Sequence, residues 1–246
     1  MLYYPSSYRP SSAEMAAQHL QFWPSEAGDY RGFVSTMPQG HARGTIIVFH
    51  GNAGAASDRD YYAQVLTRLG YRVLLVEYPG YGGREGKPGE ATFVKDARTT
   101  ARLAFEQFGK PVFLLGESLG CGVAAAVAKE TPVQIDGIIL FTPWDTLLAA
   151  AKGTFPWLPV AWFLKDTYDN IGNLRSFLGP IAVIGAERDE VIPVRHAEEL
   201  YRSLPGKKKL WLIKGAGHND WQGRIEQSWW REIMEFVGDG NRTAPR

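Results

Sequence analysis

The segment Gly116-Glu117-Ser118-Leu119-Gly120 follows the apolar run Val112-Phe113-Leu114-Leu115 and leads into the alanine-rich run Cys121 to Ala128. A strand, a Gly-x-Ser-x-Gly turn and a helix in that order form a nucleophile elbow, which raises one hydroxyl on a sharp turn. The glycines have a steric task. A serine on such a turn is strained, and neighbouring backbone must come close with no Cβ in the way. The five-residue pattern alone would be an ordinary turn; the flanking strand and helix single out the Ser118 hydroxyl as an attacking group.

A serine hydroxyl is a weak nucleophile at neutral pH until a base takes its proton, and that base must itself be oriented. Two later loops offer both groups. Pro180 to Gly185 reads as a buried strand followed by Ala186-Glu187-Arg188-Asp189-Glu190, and Lys209 to Ile213 as another followed by Gly215-Ala216-Gly217-His218-Asn219-Asp220. Both groups thus stand at carboxyl ends of strands, the edge where open α/β sheets place their chemistry. His218 is the expected general base. His50 competes but precedes Ser118, while His41 and His196 lie in polar stretches. Asp189 is the expected orienting acid, because Val191-Ile192-Pro193 anchors the end of its loop. Glu187 and Glu190 share that loop. Asp145, after the strand Gly137 to Phe141, is a rival whose ordinary role is a helix cap, and Asp220 is expected to cap the last helix.

A tetrahedral intermediate also needs N–H donors for its negative oxygen, one from the residue after the nucleophile and one from an early strand-end loop. The first is Leu119. The second is Asn52, in Thr45-Ile46-Ile47-Val48-Phe49-His50-Gly51-Asn52-Ala53-Gly54, a β-branched strand running into a glycine-rich loop. Such a loop can also cradle a phosphate, but neither a Walker lysine motif nor a Gly-x-Gly-x-x-Gly series accompanies it.

The elements that must position these groups alternate between strand and helix, the pattern of a parallel sheet with crossover helices. Hairpin-like strands at 18–23 and 30–35 come first. Strand 45–49 precedes a helix at 59–68, and strand 71–77 a helix near 91–108. After the elbow helix come a strand at 135–141, an irregular stretch, strand 181–184, helix 195–204, strand 209–213 and a last helix around 225–237. The irregular stretch, 144–179, carries Phe155, Trp157, Trp162 and Phe163 among helix-breaking prolines. It is expected to form a small helical cap inserted in a single domain spanning 1–246. Its aromatics either line an apolar acyl pocket or pack the cap onto the core, since aromatics dominate both kinds of contact. Trp144, directly after a strand end, is the residue there most expected to touch substrate, with Trp157 and Trp162 as further candidates.

Phe49-His50-Gly51-Asn52-Ala53-Gly54, Tyr78-Pro79-Gly80-Tyr81-Gly82, the Ser118 elbow, the Asp189 loop and Gly217-His218-Asn219-Asp220 occur together and in order. Over roughly residues 29 to 237 the chain resembles serine hydrolases of the α/β-hydrolase superfamily, of the bud-emergence type. The resemblance implies Ser118, Asp189 and His218 as a triad, backbone donors at Asn52 and Leu119, and an eight-stranded, mostly parallel sheet flanked by helices. Relatives of this type include esterases, lipid hydrolases and thioesterases, and they often carry an amino-terminal membrane anchor. Fold and site carry over from such kinship; substrate does not.

The expected activity is hydrolysis of carboxylic esters or thioesters of short to medium apolar acyl chains, through an acyl-enzyme. An acyltransferase using the same intermediate, or an idle binding protein keeping the pocket, are the alternatives. No cofactor is expected, and no pair of histidines or cysteines stands at metal-ligand spacing. A net charge of +1 gives no electrostatic bias toward nucleic acid or anionic membrane. The resemblance to esterases and lipid hydrolases implies a small or lipid-like ester as the partner. One cysteine, Cys121, excludes an internal disulfide framework. No apolar run is long enough to span a bilayer and the first ten residues lack a signal-peptide layout, so the cytoplasm is the expected location.

Overall fold

In Thr45–Phe49, Ile46 and Val48 point to one face of a sheet and Ile47 and Phe49 to the other, and all four are buried. The same two-sided burial recurs in neighbouring strands, as expected of parallel strands covered by helices on both faces. The computed structural model describes residues 2–26, 29–36, 42–131, 133–154, 157, 160–162 and 164–238. Its strands are β1 (Tyr4–Pro5), β2 (Leu20–Trp23), β3 (Gly32–Ser35), β4 (Thr45–Phe49), β5 (Ala53–Gly54), β6 (Arg72–Val76), β7 (Val112–Glu117), β8 (Gly137–Phe141), β9 (Ile181–Ala186) and β10 (Lys208–Ile213). Its helices are α1 (Ser12–Ala17), α2 (Asp60–Thr67), α3 (Glu90–Phe108), α4 (Leu119–Lys129), α5 (Leu147–Thr154), α6 (Asn170–Leu174), α7 (Arg195–Ser203) and α8 (Gln227–Gly238).

Eight strands form one sheet in the order β10-β9-β8-β7-β4-β6-β3-β2. Only the β2–β3 and β3–β6 pairings are antiparallel; from β6 to β10 every pair is parallel. One core face joins Ile47, Leu74, Leu114, Leu140 and Val183 to residues of α3, α4 and α7. The other joins Ile46, Val73, Phe113, Ile139 and Ile184 to residues of α2 and α8. Each fully buried side chain of this kind contributes about 1.5–3 kcal/mol relative to exposure. The fold is that of an α/β hydrolase.

Two elements escape the strand–helix reading. Ser11 and Glu14 make a reciprocal capping box that starts α1. β1 pairs in parallel with β5, Tyr4 opposite Ala53 and Pro5 opposite Gly54, so the start of the chain lies along the loop after β4. Between β8 and β9 the chain forms α5, a 3-10 turn at Val160–Trp162, and α6. The later part of this stretch is core, since Tyr168, Asn170 and Leu174 have no exposed surface and Tyr168 packs where Gly122 of α4 leaves room. Phe155 and Phe163 lie outside the described residues.

Candidate active site

Ser118 stands between β7 and α4 with φ 52° and ψ −112°, a conformation that costs a non-glycine residue on the order of 1–3 kcal/mol. Its N–H donates to the Phe141 carbonyl on β8 (2.9 Å), and its carbonyl accepts from Cys121 (3.0 Å), which hold the turn. A Cβ on Gly116 would lie 2.5 Å from the Gly120 carbonyl oxygen, and one on Gly120 would lie 1.9 Å from that of Phe49. Those contacts are why glycine flanks the serine on both sides. Leu119 opens α4, where helical geometry leaves an N–H without an intrahelical partner and the helix dipole is positive.

The two later loops bring their side chains to the same place. His218 Nε2 lies 3.1 Å from Ser118 Oγ, and His218 Nδ1 lies 2.7 Å from Asp189 Oδ2. A carboxylate accepts, so Nδ1 carries the hydrogen and Nε2 presents its lone pair to the hydroxyl. The other oxygen, Asp189 Oδ1, accepts from the N–H groups of Val191 (2.9 Å) and Ile192 (2.6 Å), which fixes the carboxylate plane. The acid and histidine loops are also tied together. Arg188 N–H donates to the Ala216 carbonyl (2.7 Å), Glu187 N–H to that of Ile213 (3.1 Å), and Gly215 N–H to the Glu187 carboxylate (2.7 Å). Glu187 thus latches the loops.

Three expectations need correction. Asp220 does not cap α8, which starts at Gln227. Its carboxylate closes the histidine turn by accepting from Gly217 N–H (2.6 Å) and pairs with Arg224. Asp145 does not cap α5, since that role falls to Thr146, whose hydroxyl accepts from Ala149 N–H (3.1 Å). Asp145 bonds the Nδ1 of His196 (2.9 Å) and the N–H of Thr146 (2.6 Å), and His196 is buried although the sequence around it is polar. Trp157 and Trp162 are 75% and 87% exposed and are not among the described residues that line the cavity beside Ser118. The 3-10 turn presents Val160 inward in their stead.

That cavity has a volume of about 860 Å³ and reaches Ser118 and His218 at its base. Trp144, Leu147, Ala150, Val160, Leu164 and Ile192 give it an apolar wall. Trp144 is buried, with its Nε1–H donating to the Tyr168 carbonyl (3.1 Å). Asn52 and Leu119 border the cavity beside the serine. A polar wall faces them, built on Glu117, a residue the sequence reading passed over as the variable position of the elbow. Its carboxylate accepts from Arg59 Nε (3.1 Å), Tyr61 hydroxyl (2.5 Å) and Tyr62 hydroxyl (3.0 Å), and Gln222 donates on to the Tyr61 oxygen (3.3 Å). Burial and the adjacent Glu117 carboxylate push both phenols up, so they remain donors. Among the described residues, no three His, Cys, Asp or Glu side chains converge as a metal site, and no helix is long and apolar enough to cross a membrane.

Comparison with known proteins shows the family and the fold. The family model described as Hydrolase_4, serine aminopeptidase S33, matches residues 40–171, more than half of the chain. The chain therefore belongs to that family, within the α/β-hydrolase superfamily. It is 30% identical over 226 residues to Rv2307c of Mycobacterium tuberculosis, a protein named as uncharacterized, covering 89% of this chain and 80% of that one. It is 28% identical over 205 residues to the lysophosphatidylserine lipase ABHD12 of Danio rerio, covering 76% of this chain and 53% of the lipase. The Pyrococcus furiosus esterase Pf2001 superposes with a TM-score of 0.74 at 19% identity, covering 97% of each chain, and shows the shared fold. The chain is an α/β hydrolase.

Proposed function

We propose that this chain is a serine hydrolase that cleaves carboxylic esters or thioesters of short to medium apolar acyl chains through a covalent acyl-enzyme. The observation that carries the reading is the unbroken hydrogen-bonded line from Asp189 through His218 to Ser118 at the base of the cavity. Ser118 Oγ attacks the acyl carbon as His218 Nε2 takes its proton, and Asp189 holds the ring and stabilises the imidazolium. The N–H groups of Asn52 and Leu119 receive the developing oxyanion. The tetrahedral intermediate collapses, the bond to the leaving oxygen or sulfur breaks, and His218 gives that atom the proton. A water molecule, deprotonated by the same His218, then attacks the acyl carbon and releases the acid and Ser118.

The apolar wall from Trp144 to Leu164 supports an acyl chain as the part of the substrate that the cavity takes up. The esterase and lipase names borne by two of the three similar proteins are consistent with that choice. An acyltransferase would share every step up to the acyl-enzyme and differ only in the acceptor. Incubation with a fluorophosphonate probe tests the reading. Wild-type protein is labelled and Ser118→Ala is not, while p-nitrophenyl esters of graded chain length are hydrolysed with an optimum at short to medium length. Labelling of the alanine variant at the wild-type rate, or a wild-type protein inert to probe and esters alike, overturns it.

A further inference from the structure

Asn52 is held from three sides. Its carbonyl accepts from the Tyr81 hydroxyl (2.7 Å) and from the N–H of Tyr4 (2.9 Å), and its side-chain Nδ2 donates to the Leu2 carbonyl (2.9 Å). The preceding carbonyls are also taken. That of His50 accepts from the Tyr78 hydroxyl (2.8 Å), and that of Gly51 from His50 Nδ1 (2.8 Å), which therefore carries a hydrogen. Burial pushes the Tyr81 phenol up to about 12, so it stays a donor across the working range of pH. Three successive carbonyls of one loop are thus each tied by a dedicated donor, and two of those donors come from the Tyr78-to-Gly82 turn.

The third set of ties comes from β1. Beyond the Tyr4 bond, Ser6 N–H donates to the Gly54 carbonyl (2.9 Å) and the Ser6 carbonyl accepts from Gly82 N–H (2.8 Å). Tyr3 hydroxyl donates to the Asp166 carboxylate (2.6 Å), whose other oxygen accepts from Glu90 N–H at the start of α3 (3.0 Å). Leu2 and Tyr4 both border the cavity. The segment therefore bridges the loop after β4 and the stretch before α6.

We propose that residues 2–6 are a working part of the hydrolytic site, a strap that positions the Asn52 N–H for the oxyanion, with Tyr4 and Tyr81 as positioning residues. The inference rests on the acyl-enzyme reading above and adds to it a determinant of rate remote from the three reacting side chains. An N–H that serves the oxyanion acts mainly in the transition state, so loosening it lowers kcat and leaves KM nearly unchanged.

A matched pair of variants isolates one tie. Tyr4→Ala deletes the ring and keeps the N–H; Tyr4→Pro deletes the ring and also the donor to Asn52. Ester hydrolysis, fluorophosphonate labelling rate and amide hydrogen exchange of residues 51–55 are measured on the full chain, with melting temperature as the check on folding. Tyr4→Pro is expected to exchange faster in that loop than Tyr4→Ala and to show about a 10-fold lower kcat at similar KM, less than the 10²–10³ of losing an oxyanion donor outright. Tyr81→Phe, which removes the second donor to the same carbonyl, is expected to act in the same direction. Equal kcat and labelling rate for the two Tyr4 variants, whether or not exchange differs, overturns the strap while the hydrolase reading stands. A wild-type chain inert to probe and esters overturns both.

Discussion

Asp145 and His196 bond at 2.9 Å in the interior, one strand over from the 2.7 Å bond between Asp189 and His218. Adjacent strand ends thus each carry an aspartate with its own histidine, and only the second pair reaches Ser118. Asp189→Asn is therefore expected to keep the fold and lower kcat by roughly 10⁴, because the histidine falls into the wrong tautomer. Asp145→Asn is expected to change kcat by only a few-fold while costing about 1–3 kcal/mol of stability, the penalty for a buried group left poorly paired. Steady-state kinetics and urea unfolding of the two variants check this. A larger loss of kcat in Asp145→Asn would move the acid one strand along.

The backbone of Ser118 makes a second, less usual prediction. At φ 52° an alanine keeps the strain and loses the hydroxyl's bond to His218, whereas a glycine relieves the strain. Ser118→Gly is expected to be more stable than Ser118→Ala by about 1 kcal/mol, the strain released less the greater chain entropy of glycine. Both variants are expected to be inactive. Equal or reversed stabilities in denaturant titrations would show that the elbow stores no such strain.

Chain-length selectivity should follow the cavity and not the aromatic content of the segment. Trp162, 87% exposed, is expected to tolerate alanine within about 0.5 kcal/mol and to keep the wild-type ester preference. Trp144→Ala is expected to lower the melting temperature and shift the optimum toward longer chains, because it both opens core and widens the apolar wall. Leu147→Phe is expected to shift it toward shorter ones. Each methylene gained or lost is worth about 1–3 kcal/mol, or roughly 10- to 200-fold in kcat/KM. Unchanged profiles in both Trp144→Ala and Leu147→Phe would exclude this wall from acyl recognition.

Cys121 lies one helical turn beyond Ser118 with no exposed surface, and burial pushes its thiol well above the ordinary range. Its Sγ contacts the carbonyl oxygens of Gly116 and Phe141 at 3.2 Å. Iodoacetamide is expected to leave the native chain unmodified and its activity intact, and to alkylate one thiol in denaturant. Loss of activity at the rate of native alkylation would give the thiol a role in the site.

What could be read from the sequence was what local pattern controls. Runs such as Thr45 to Phe49 and Val112 to Leu115 announce strands because uninterrupted β-branched and leucine residues suit a sheet covered on both faces. Ser118 and Asp189 were findable because each follows such a strand, and His218 because a glycine-rich turn carries it off the end of the edge strand β10. Glu117 was not, since its importance lies in Arg59, Tyr61 and Tyr62, which only the tertiary fold brings to it. The Asp145–His196 pair was hidden for the same reason, across 51 residues. Trp157 and Trp162 misled because residue type announces hydrophobicity and says nothing about which way a short turn faces. The α1 capping box was legible in Ser11-x-x-Glu14 and passed unread; the β1–β5 pairing, two residues long, left no periodicity to read.

Ser118 and His218 stand 100 residues apart in sequence. During synthesis the elbow leaves the ribosome long before β10 can pair with β9 and carry the histidine loop into place. Under the proposed mechanism, a nascent or interrupted chain therefore carries its serine without the group that ionises it, and cannot cleave bystander esters. Competence arrives only when the last strand docks. Turnover is then a readout of completed folding, and refolding followed by regain of esterase activity would time the closure of the far edge of the sheet.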